Sequence, residues 1–292
     1  MKAAPFEYHA PETLDEALGL LAELGDEAKV LAGGQSLVPV LALRLARFGH
    51  LVDLNRIPAL RYVRAAGGVT RVGAMTTHAT VGDHAEIRSR VPLLAEATPY
   101  IGHFQIRNRG TIGGSLSHAD PGAEYPAAAL ALDAGIVLAS ARGTRTVAAA
   151  EFFTGTFTTV AEPDEVLTEV RFTGRPQGCA VLELARRHGD FALAGVACAA
   201  EIDSAERIAS LRLALFGVAS TPVLATAAGQ AARGAAAGEL DPREVGRAAL
   251  AGVSCVADLH ADAGYRERVA AHLAGQAVRQ ALQQALQEVR HG

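Results

Sequence analysis

The sequence predicts an α+β protein with two small lobes of mixed helices and strands, followed by a C-terminal domain of antiparallel sheet plus helices. Three observations support this fold class. The first 56 residues read as helix, strand, glycine loop, helix and strand; the next stretch alternates short strands with glycine turns; and the residues beyond about 175 read as strands and then helices. We therefore place the domain limits at 1–56, 57–175 and 176–292.

The first lobe begins with a capped amphipathic helix in "PETLDEALGLLAELG". Thr13 stands at the N-cap, Glu16 follows three residues later as a capping box requires, and Gly25 ends the helix. Leucines recur at helical spacing within it, which predicts one buried face. The chain then predicts a strand, a helix and a strand over residues 28–33, 37–49 and 50–57.

The second lobe is built from shorter elements. Gly67 and Gly68 mark a tight turn between two segments with strand-like alternation. A helix is predicted over 85–100, and an apolar helix that runs into a strand is predicted over 125–140. The strand pattern of this lobe ends with 162–172.

The sequence pattern of the C-terminal domain changes from strand-like to helical along its length. The segments "CAVLELARRHGDFALAGVACAAEID" and "ASLRLALFGVAS" are typical of strands in an antiparallel sheet. Apolar residues at helical spacing then predict three helices, over 221–234, 241–253 and 265–289.

The composition excludes several classes of protein. A net charge of −4 with half of the residues hydrophobic argues against a nucleic-acid binder and against a disordered chain. No apolar run reaches the roughly 18 residues of a membrane span. Acidic residues and a helical pattern occupy the N-terminal region where a signal peptide would have its apolar core. We therefore expect a cytoplasmic protein.

The three cysteines, Cys179, Cys198 and Cys255, are far apart in the sequence. An odd number at wide spacing predicts no disulfide framework. An iron–sulfur cluster needs about four closely spaced thiolates, so none is expected on this chain.

Two glycine-rich stretches suggest a ligand site. They are "LAGGQSL" over 31–37 and "RGTIGGSLSHADP" over 109–121, which we call loop 1 and loop 2. A pyrophosphate is held well by several backbone amides, and the chain can approach it closely only where side chains are absent. Either loop alone is also compatible with an ordinary turn. Neither has the G-x-G-x-x-G pattern of Rossmann folds or the Walker A pattern. Together they predict a candidate dinucleotide site between two lobes.

Three histidines, His78, His103 and His118, precede or lie within loop 2. No carboxylate or cysteine accompanies them at the spacing of metal ligands, so we predict no metal site here.

Four motifs carry a family resemblance. They are "AGGQSLVPV", "VGAMTTHA", "IGHFQIRNRGTIGGSLSHADP" and "LARRHGDFAL". In this order, over essentially the whole chain, the sequence resembles the FAD-binding medium subunit of the molybdenum hydroxylases, the group of carbon monoxide dehydrogenase and xanthine dehydrogenase. The third motif favours the carbon monoxide dehydrogenase branch. The resemblance implies a two-lobed FAD-binding domain of the vanillyl-alcohol oxidase type, with FAD bound noncovalently, followed by the C-terminal domain.

The resemblance also implies cofactor-binding residues. Loop 1 would hold the FAD diphosphate through Ala32, Gly33, Gly34, Gln35, Ser36 and Leu37. Loop 2 would face it with Thr111, Ile112, Gly113, Gly114 and Ser115. Ile101 would lie against the isoalloxazine, and Glu124 would bond the sugar-like chain, where the family carries an aspartate. Val166 and Leu167 would offer backbone contacts to the ring system. No catalytic residue is implied on this chain.

The implied function is electron transfer within a heteromeric molybdenum hydroxylase. A small subunit would carry two [2Fe–2S] clusters and a large subunit the molybdopterin cofactor, as a dimer of heterotrimers that is cytoplasmic or peripheral on the inner face of the membrane. The lysine that xanthine dehydrogenases place upstream of an Arg-Arg pair is missing before Arg186 and Arg187, which disfavours NAD as the acceptor. A standalone flavin oxidoreductase and an FAD-free scaffold of the same fold stay open as alternatives, and the substrate is not predicted.

Overall fold

The N-terminal lobe is a small parallel sheet in the computed structural model, which describes residues 2–291. Its elements are β1 (Glu7–His9), α1 (Leu14–Leu24), β2 (Ala28–Leu31), α2 (Leu37–Ala42) and β3 (His50–Asp53). The strand order is β1-β3-β2, with both pairs parallel. Because β3 is central, its carboxyl end lies beside the end of β2, where loop 1 begins.

The predicted capping box of α1 is present. The Thr13 hydroxyl accepts from the Glu16 amide at 3.2 Å, and the Glu16 carboxylate accepts from the Thr13 amide at 3.4 Å. The helix buries Ala17, Leu18 and Leu21 against the sheet. Helix α2 is shorter than the predicted 37–49: it ends at Ala42 with Leu43 as its C-cap, and the chain turns away at Arg44, which adopts φ +58°.

The second lobe is a five-stranded antiparallel sheet, in the order β4-β5-β10-β6-β7, with short helices and one small hairpin. Its elements are β4 (Val63–Ala66), β5 (Val69–Gly73), α3 (His78–Asp83), α4 (Ala85–Arg90), α5 (Pro92–Ala97), α6 (Phe104–Arg107), α7 (Ile112–His118), α8 (Glu124–Ala131), β6 (Gly135–Ser140), β7 (Gly143–Ala148), α9 (Ala149–Phe152), β8 (Phe153–Gly155), β9 (Thr158–Thr159) and β10 (Val166–Thr173).

The continuous helix predicted over 85–100 is wrong. The segment divides into α4, α5 and a 3₁₀ turn at Thr98–Tyr100. Val91 has φ −133° and ψ 52° between the two α-helices, and Pro92 is the first residue of α5. Proline lacks an amide donor and disfavours the helical conformation of the residue before it, so it ends one helix and opens the next.

The C-terminal domain is a four-stranded sheet covered by helices. Its elements are β11 (Gly178–Leu184), β12 (Ala194–Ile202), β13 (Ile208–Phe216), β14 (Val223–Leu224), α10 (Thr226–Ala232), α11 (Pro242–Ala249) and α12 (Ala263–His291). The strands pair antiparallel in sequence order, as predicted. None of the helices within residues 2–291 combines the length and the apolar character needed to cross a bilayer.

Helix α8 joins the second lobe to the C-terminal sheet. All of its residues are buried, and it packs on β12 and β13. Helix α12 covers the opposite face of the same sheet, so Cys179 and Val181 belong to one core while Ala180 belongs to the other. The chain passes from one sheet to the other between Thr173 and Gly178. The second lobe and the C-terminal sheet thus share one hydrophobic core. The domain limits proposed from the sequence, 1–56, 57–175 and 176–292, stay a prediction.

Candidate cofactor site between the glycine loops

Loop 1 and loop 2 are in direct contact, although they belong to different lobes. A Cβ placed on Gly33 would overlap the carbonyl oxygen of Arg109 and lie 2.7 Å from the Cα of Gly110. A Cβ on Gly114 would lie 3.4 Å from the Cβ of Ala32. The first contact is tighter than real side chains tolerate, so only glycine at position 33 allows the two backbones to meet.

Loop 1 presents its backbone amides. Gly34 has φ +73°, a left-handed conformation that favours glycine. The Gln35 side chain donates to the Gly33 carbonyl at 3.0 Å, and the Val38 amide donates to the Gly34 carbonyl at 3.1 Å. In both of these bonds loop 1 contributes a backbone carbonyl as the acceptor, and none of its backbone amides takes part. Between residues 2 and 291, no protein acceptor is present for the amides of 33–37. Such a run of open donors suits an anion.

Loop 2 differs from the expectation that both loops present amides. The Ile112 amide donates to the Thr76 carbonyl at 3.0 Å, and the Gly113 amide donates to the Ala74 carbonyl at 2.8 Å. The Gly114 amide donates to the Thr111 hydroxyl at 3.1 Å, which caps α7. These three amides are hydrogen-bonded to protein acceptors and are not free to donate to a ligand.

The glycines of loop 2 therefore serve close packing. A Cβ on Gly113 would lie 2.5 Å from the Cβ of Ala74 and 2.8 Å from its carbonyl oxygen. Loop 2 is thereby held against the end of β5, and it offers a ligand the hydroxyls of Thr111 and the half-buried Ser115.

A polar cavity of about 310 Å³ lies beside the contact between the loops. It is lined by Asp53, Asn55, Arg61, Thr77, Asn108, Arg109 and Thr111. The Asn55 side chain donates to the Ala32 carbonyl at 2.8 Å and so anchors loop 1 to the end of β3. The lining carries two guanidinium groups, those of Arg61 and Arg109, against the one carboxylate of Asp53, and this excess of positive charge favours an anionic ligand.

Sequence reasoning missed Asp53, Asn55 and Arg61. A usable signal was present, because the polar pair Asp53 and Asn55 lies at the end of a parallel strand. Ligands of open α/β sheets bind outside the carboxyl ends of their strands.

Glu124 is a buried carboxyl at the start of α8. It is 6% exposed, and burial raises its pKa to about 8, with a further upward contribution from Glu183. Burial also raises the pKa of Glu183 to about 7, and one of the Glu183 oxygens is buried without a partner among the described residues. The structure therefore places two carboxyls that are distant in sequence at the junction of the second lobe and the C-terminal sheet.

Val166 and Leu167 open β10 and are buried, so they can offer a ligand only their backbone. The carbonyl of the next residue, Thr168, accepts from the Ala74 amide at 2.9 Å, and Ala74 in turn holds Gly113 of loop 2. Ile101 lies after the 3₁₀ turn, half-buried, and its carbonyl accepts from Arg107 at 3.1 Å. The hydrogen bonds within residues 2–291 do not join Ile101 directly to either loop.

The three histidines near the motifs have separate surroundings. His78 is buried against Gly110 and Tyr125, and desolvation lowers its pKa to about 3, so it is neutral. His118 stacks on Phe157, with ring centroids 4.9 Å apart. His103 lies against Gly189 of the C-terminal domain. Their positions favour packing roles.

The chain matches two protein families, one before and one after the segment that links the five-stranded sheet to the C-terminal sheet. Residues 4–172 match the family described as "FAD binding domain in molybdopterin dehydrogenase". Residues 180–281 match the "CO dehydrogenase flavoprotein C-terminal domain". Together the two matches cover both lobes with the glycine loops and most of the C-terminal domain.

Whole-chain relatives agree. The chain is 41% identical over 275 residues to the carbon monoxide dehydrogenase medium chain of Hydrogenophaga pseudoflava, over 94% of this chain and 96% of that one. The solved carbon monoxide dehydrogenase from Hydrogenophaga pseudoflava that lacks the Mo-pyranopterin moiety gives a TM-score of 0.94 at 40% identity, over 97% of this chain and 99% of its own. The solved quinoline 2-oxidoreductase from Pseudomonas putida 86 gives a TM-score of 0.92 at 34% sequence identity, over 98% of this chain and 100% of its own.

These comparisons confirm the predicted fold class and the resemblance that four motifs suggested. An FAD-binding domain with a five-stranded sheet precedes a C-terminal domain of antiparallel sheet and helices. The chain belongs to the family of FAD-binding medium subunits of molybdenum hydroxylases, oxidoreductases of the carbon monoxide dehydrogenase type.

Proposed function

We propose that the FAD diphosphate binds where loop 1 meets loop 2. The observation that carries this proposal is the run of open amides over 33–37, held against loop 2 by a contact that only glycine permits. The residues assigned to the cofactor are Ala32, Gly33, Gly34, Gln35, Ser36 and Leu37 on loop 1, with Thr111, Ile112, Gly113, Gly114 and Ser115 on loop 2.

The two loops have different tasks in this proposal. Loop 1 donates hydrogen bonds to the phosphate oxygens, because its amides have no other acceptor in the described chain. Loop 2 forms the opposite wall and contributes the Thr111 and Ser115 hydroxyls. Asn55 fixes the position of loop 1 before the ligand arrives, which lowers the entropy cost of binding.

We assign Glu124 to the sugar-like chain of FAD, Ile101 to one side of the isoalloxazine, and the backbone of Val166 and Leu167 to the edge of the ring system. With a pKa of about 8, the Glu124 carboxyl is largely protonated at pH 7 and can donate to a hydroxyl as well as accept from one. A polyhydroxyl chain suits such a group.

Bound FAD supplies the redox chemistry, and the protein supplies position and electrostatics. We infer that this chain passes electrons from [2Fe–2S] clusters on a small partner subunit to an external acceptor. A large partner subunit would carry the molybdenum cofactor and the substrate site, in a dimer of heterotrimers located in the cytoplasm or at the inner face of the membrane. The names of the relatives, a medium chain among them, support a heteromeric assembly.

The sequence before Arg186 bears on the electron acceptor, and the relatives bear on where the substrate is selected. The position before Arg186 and Arg187 holds Leu182, Glu183 and Leu184 and no lysine, so we favour a quinone or oxygen over NAD. Relatives that oxidise different molecules, carbon monoxide and quinoline by their names, share this fold. The substrate is therefore selected on another subunit.

The first experiment is the visible absorption spectrum of the purified chain before and after addition of FAD. We expect flavin bands that survive gel filtration and are released by heat as free FAD. A colourless chain that takes up no FAD would overturn the proposal in favour of a scaffold. Affinity purification of the tagged chain from its native cells should then recover iron–sulfur and molybdenum subunits. A flavin-loaded chain that purifies alone and oxidises a small molecule directly would support a standalone oxidoreductase.

A further inference from the structure

Glu7, His9 and His50 form a compact cluster at the amino end of β3, whereas the glycine loops lie at its carboxyl end. Side chains two residues apart in a strand share a face, so Glu7 and His9 of β1 project together. The parallel register places His50 of β3 directly beside Glu7. Three potential ligand side chains therefore meet on one face of the sheet.

Two of the distances within this cluster are close to those of a tetrahedral metal site. His9 Nε2 lies 3.1 Å from His50 Nδ1, and Glu7 Oε2 lies 3.6 Å from the same His50 atom. All three ligand atoms lie within 4.8 Å of one another. Ligands about 2.0–2.1 Å from Zn²⁺ at tetrahedral angles are about 3.3 Å apart. Small movements, mainly of the exposed Glu7 side chain, would bring the three atoms onto one ion, since His9 and His50 are half-buried.

A fourth residue supports His50 from its other side. Glu27 Oε2 lies 4.0 Å from His50 Nε2, and the Glu27 side chain is 80% exposed and free to close this gap. Histidine ligands commonly donate their second ring N–H to a carboxylate, which fixes the tautomer that presents the metal-binding nitrogen. Here that arrangement would leave Nδ1 of His50 facing Glu7 and His9.

We propose that Glu7, His9 and His50 bind a divalent transition metal ion of the Zn²⁺ class, with Glu27 as a positioning residue for His50. This site lies away from the histidines near the motifs, for which the sequence predicted no metal. Two imidazoles and one carboxylate suit Zn²⁺ and leave one coordination position for water. The ion would link the three-residue edge strand β1 to the central strand β3 and so stabilise the N-terminal lobe.

Isothermal titration calorimetry with ZnCl₂ on the full-length, tag-free, EDTA-treated chain tests the proposal. We expect one Zn²⁺ per chain and a higher Tm with Zn²⁺ present. The variants His9→Gln and His50→Gln should bind at least about tenfold more weakly, and Glu27→Gln about tenfold more weakly. The matched control, His260→Gln, changes an exposed loop histidine and should bind as the wild type does.

Two results would overturn the site. One is a wild-type chain that binds no Zn²⁺; the other is binding of equal affinity in the wild type and both histidine variants. Circular dichroism and a cooperative thermal melt without metal establish that each variant is folded. Should a histidine variant fail to fold, Glu7→Gln serves instead, because the Glu7 side chain is 75% exposed and its replacement leaves the sheet intact. FAD binding is measured separately, so failure of the metal site and failure of the cofactor site are distinguishable.

Discussion

Gly33 packs against the backbone of Arg109, and this contact joins the two lobes of the N-terminal half. A side chain at position 33 would overlap the Arg109 carbonyl oxygen, which leaves no room even for a methyl group. The contact lies beside the cavity that Arg109 and Asn55 line. The separation of the loops, and with it the shape of the proposed diphosphate site, therefore depends on the absence of one Cβ.

Gly33→Ala should weaken FAD binding by about fivefold to 150-fold, since the clash with the Arg109 backbone forces the loops apart at a cost of about 1–3 kcal/mol. Quenching of flavin fluorescence on titration measures the change. The control is Gly19→Ala, because Gly19 lies in α1 with no atom near its Cβ position. Equal FAD affinity in wild type and Gly33→Ala would show that the loop contact does not shape the site.

Asn55→Ala should weaken FAD binding about fivefold to 150-fold. It removes bonds to the Ala32 carbonyl at 2.8 Å and to Asp53 at 2.6 Å, and each such bond contributes about 0.5–1.5 kcal/mol. Loop 1 then has to be ordered by the ligand. The same titration applies, with the exposed Gln287→Ala as control. The assignment fails if the Asn55 variant retains wild-type affinity.

Glu124→Gln should flatten the pH dependence of stability of the FAD-free chain. The pKa of Glu124 rises from 4.5 to about 8 on folding, so between these values the folded chain holds a proton that the unfolded chain lacks. The unfolding free energy therefore falls as pH rises through this window, and the loss, roughly 1–4 kcal/mol, is complete above pH 8.

Thermal melts at pH 5, 7 and 9 test this prediction. Relative to Glu124→Gln, the wild type should lose stability from pH 5 to pH 9. Glu151→Gln, at an exposed position, should keep the wild-type profile. Parallel profiles for the wild type and Glu124→Gln would mean that Glu124 ionises freely in the folded chain.

Arg266→Met should destabilise the C-terminal domain by about 2–6 kcal/mol, about 1–3 kcal/mol for each carbonyl that loses its donor. Arg266 is 3% exposed and donates to the Leu193 and Gly217 carbonyls and to the half-exposed Asp258, each at 2.6 Å, so its removal leaves the two carbonyls without a donor. Arg266→Lys should restore little, because an ammonium cannot reproduce the planar fork. Urea midpoints measure the effect, and the exposed neighbour variant Arg268→Met should stay near wild type. A shift no larger than that of the control would contradict the anchoring role.

Local features were predictable where one physical rule decides the conformation. The Thr13 and Glu16 capping box, the turn at Gly67 and Gly68, and the alternating strands of the C-terminal sheet follow from hydrogen bonding, backbone freedom and side-chain alternation within a few residues. The conformation was harder to predict where two rules conflict. Apolar periodicity favoured one continuous helix over 85–100, but the restriction that proline places on the backbone divided this segment at Pro92.

The fold class, the family and the two glycine loops could be predicted from the sequence, because each depends on short motifs of consecutive residues in a particular order. Three-dimensional packing was needed to show which amides are open in loop 1 and which are bonded in loop 2, since that depends on where Ala74 and Thr76 lie. It also brought Glu124 beside Glu183, and Glu7 and His9 beside His50. Such pairings come from strand register and domain packing, which place residues far apart in sequence within a few ångströms.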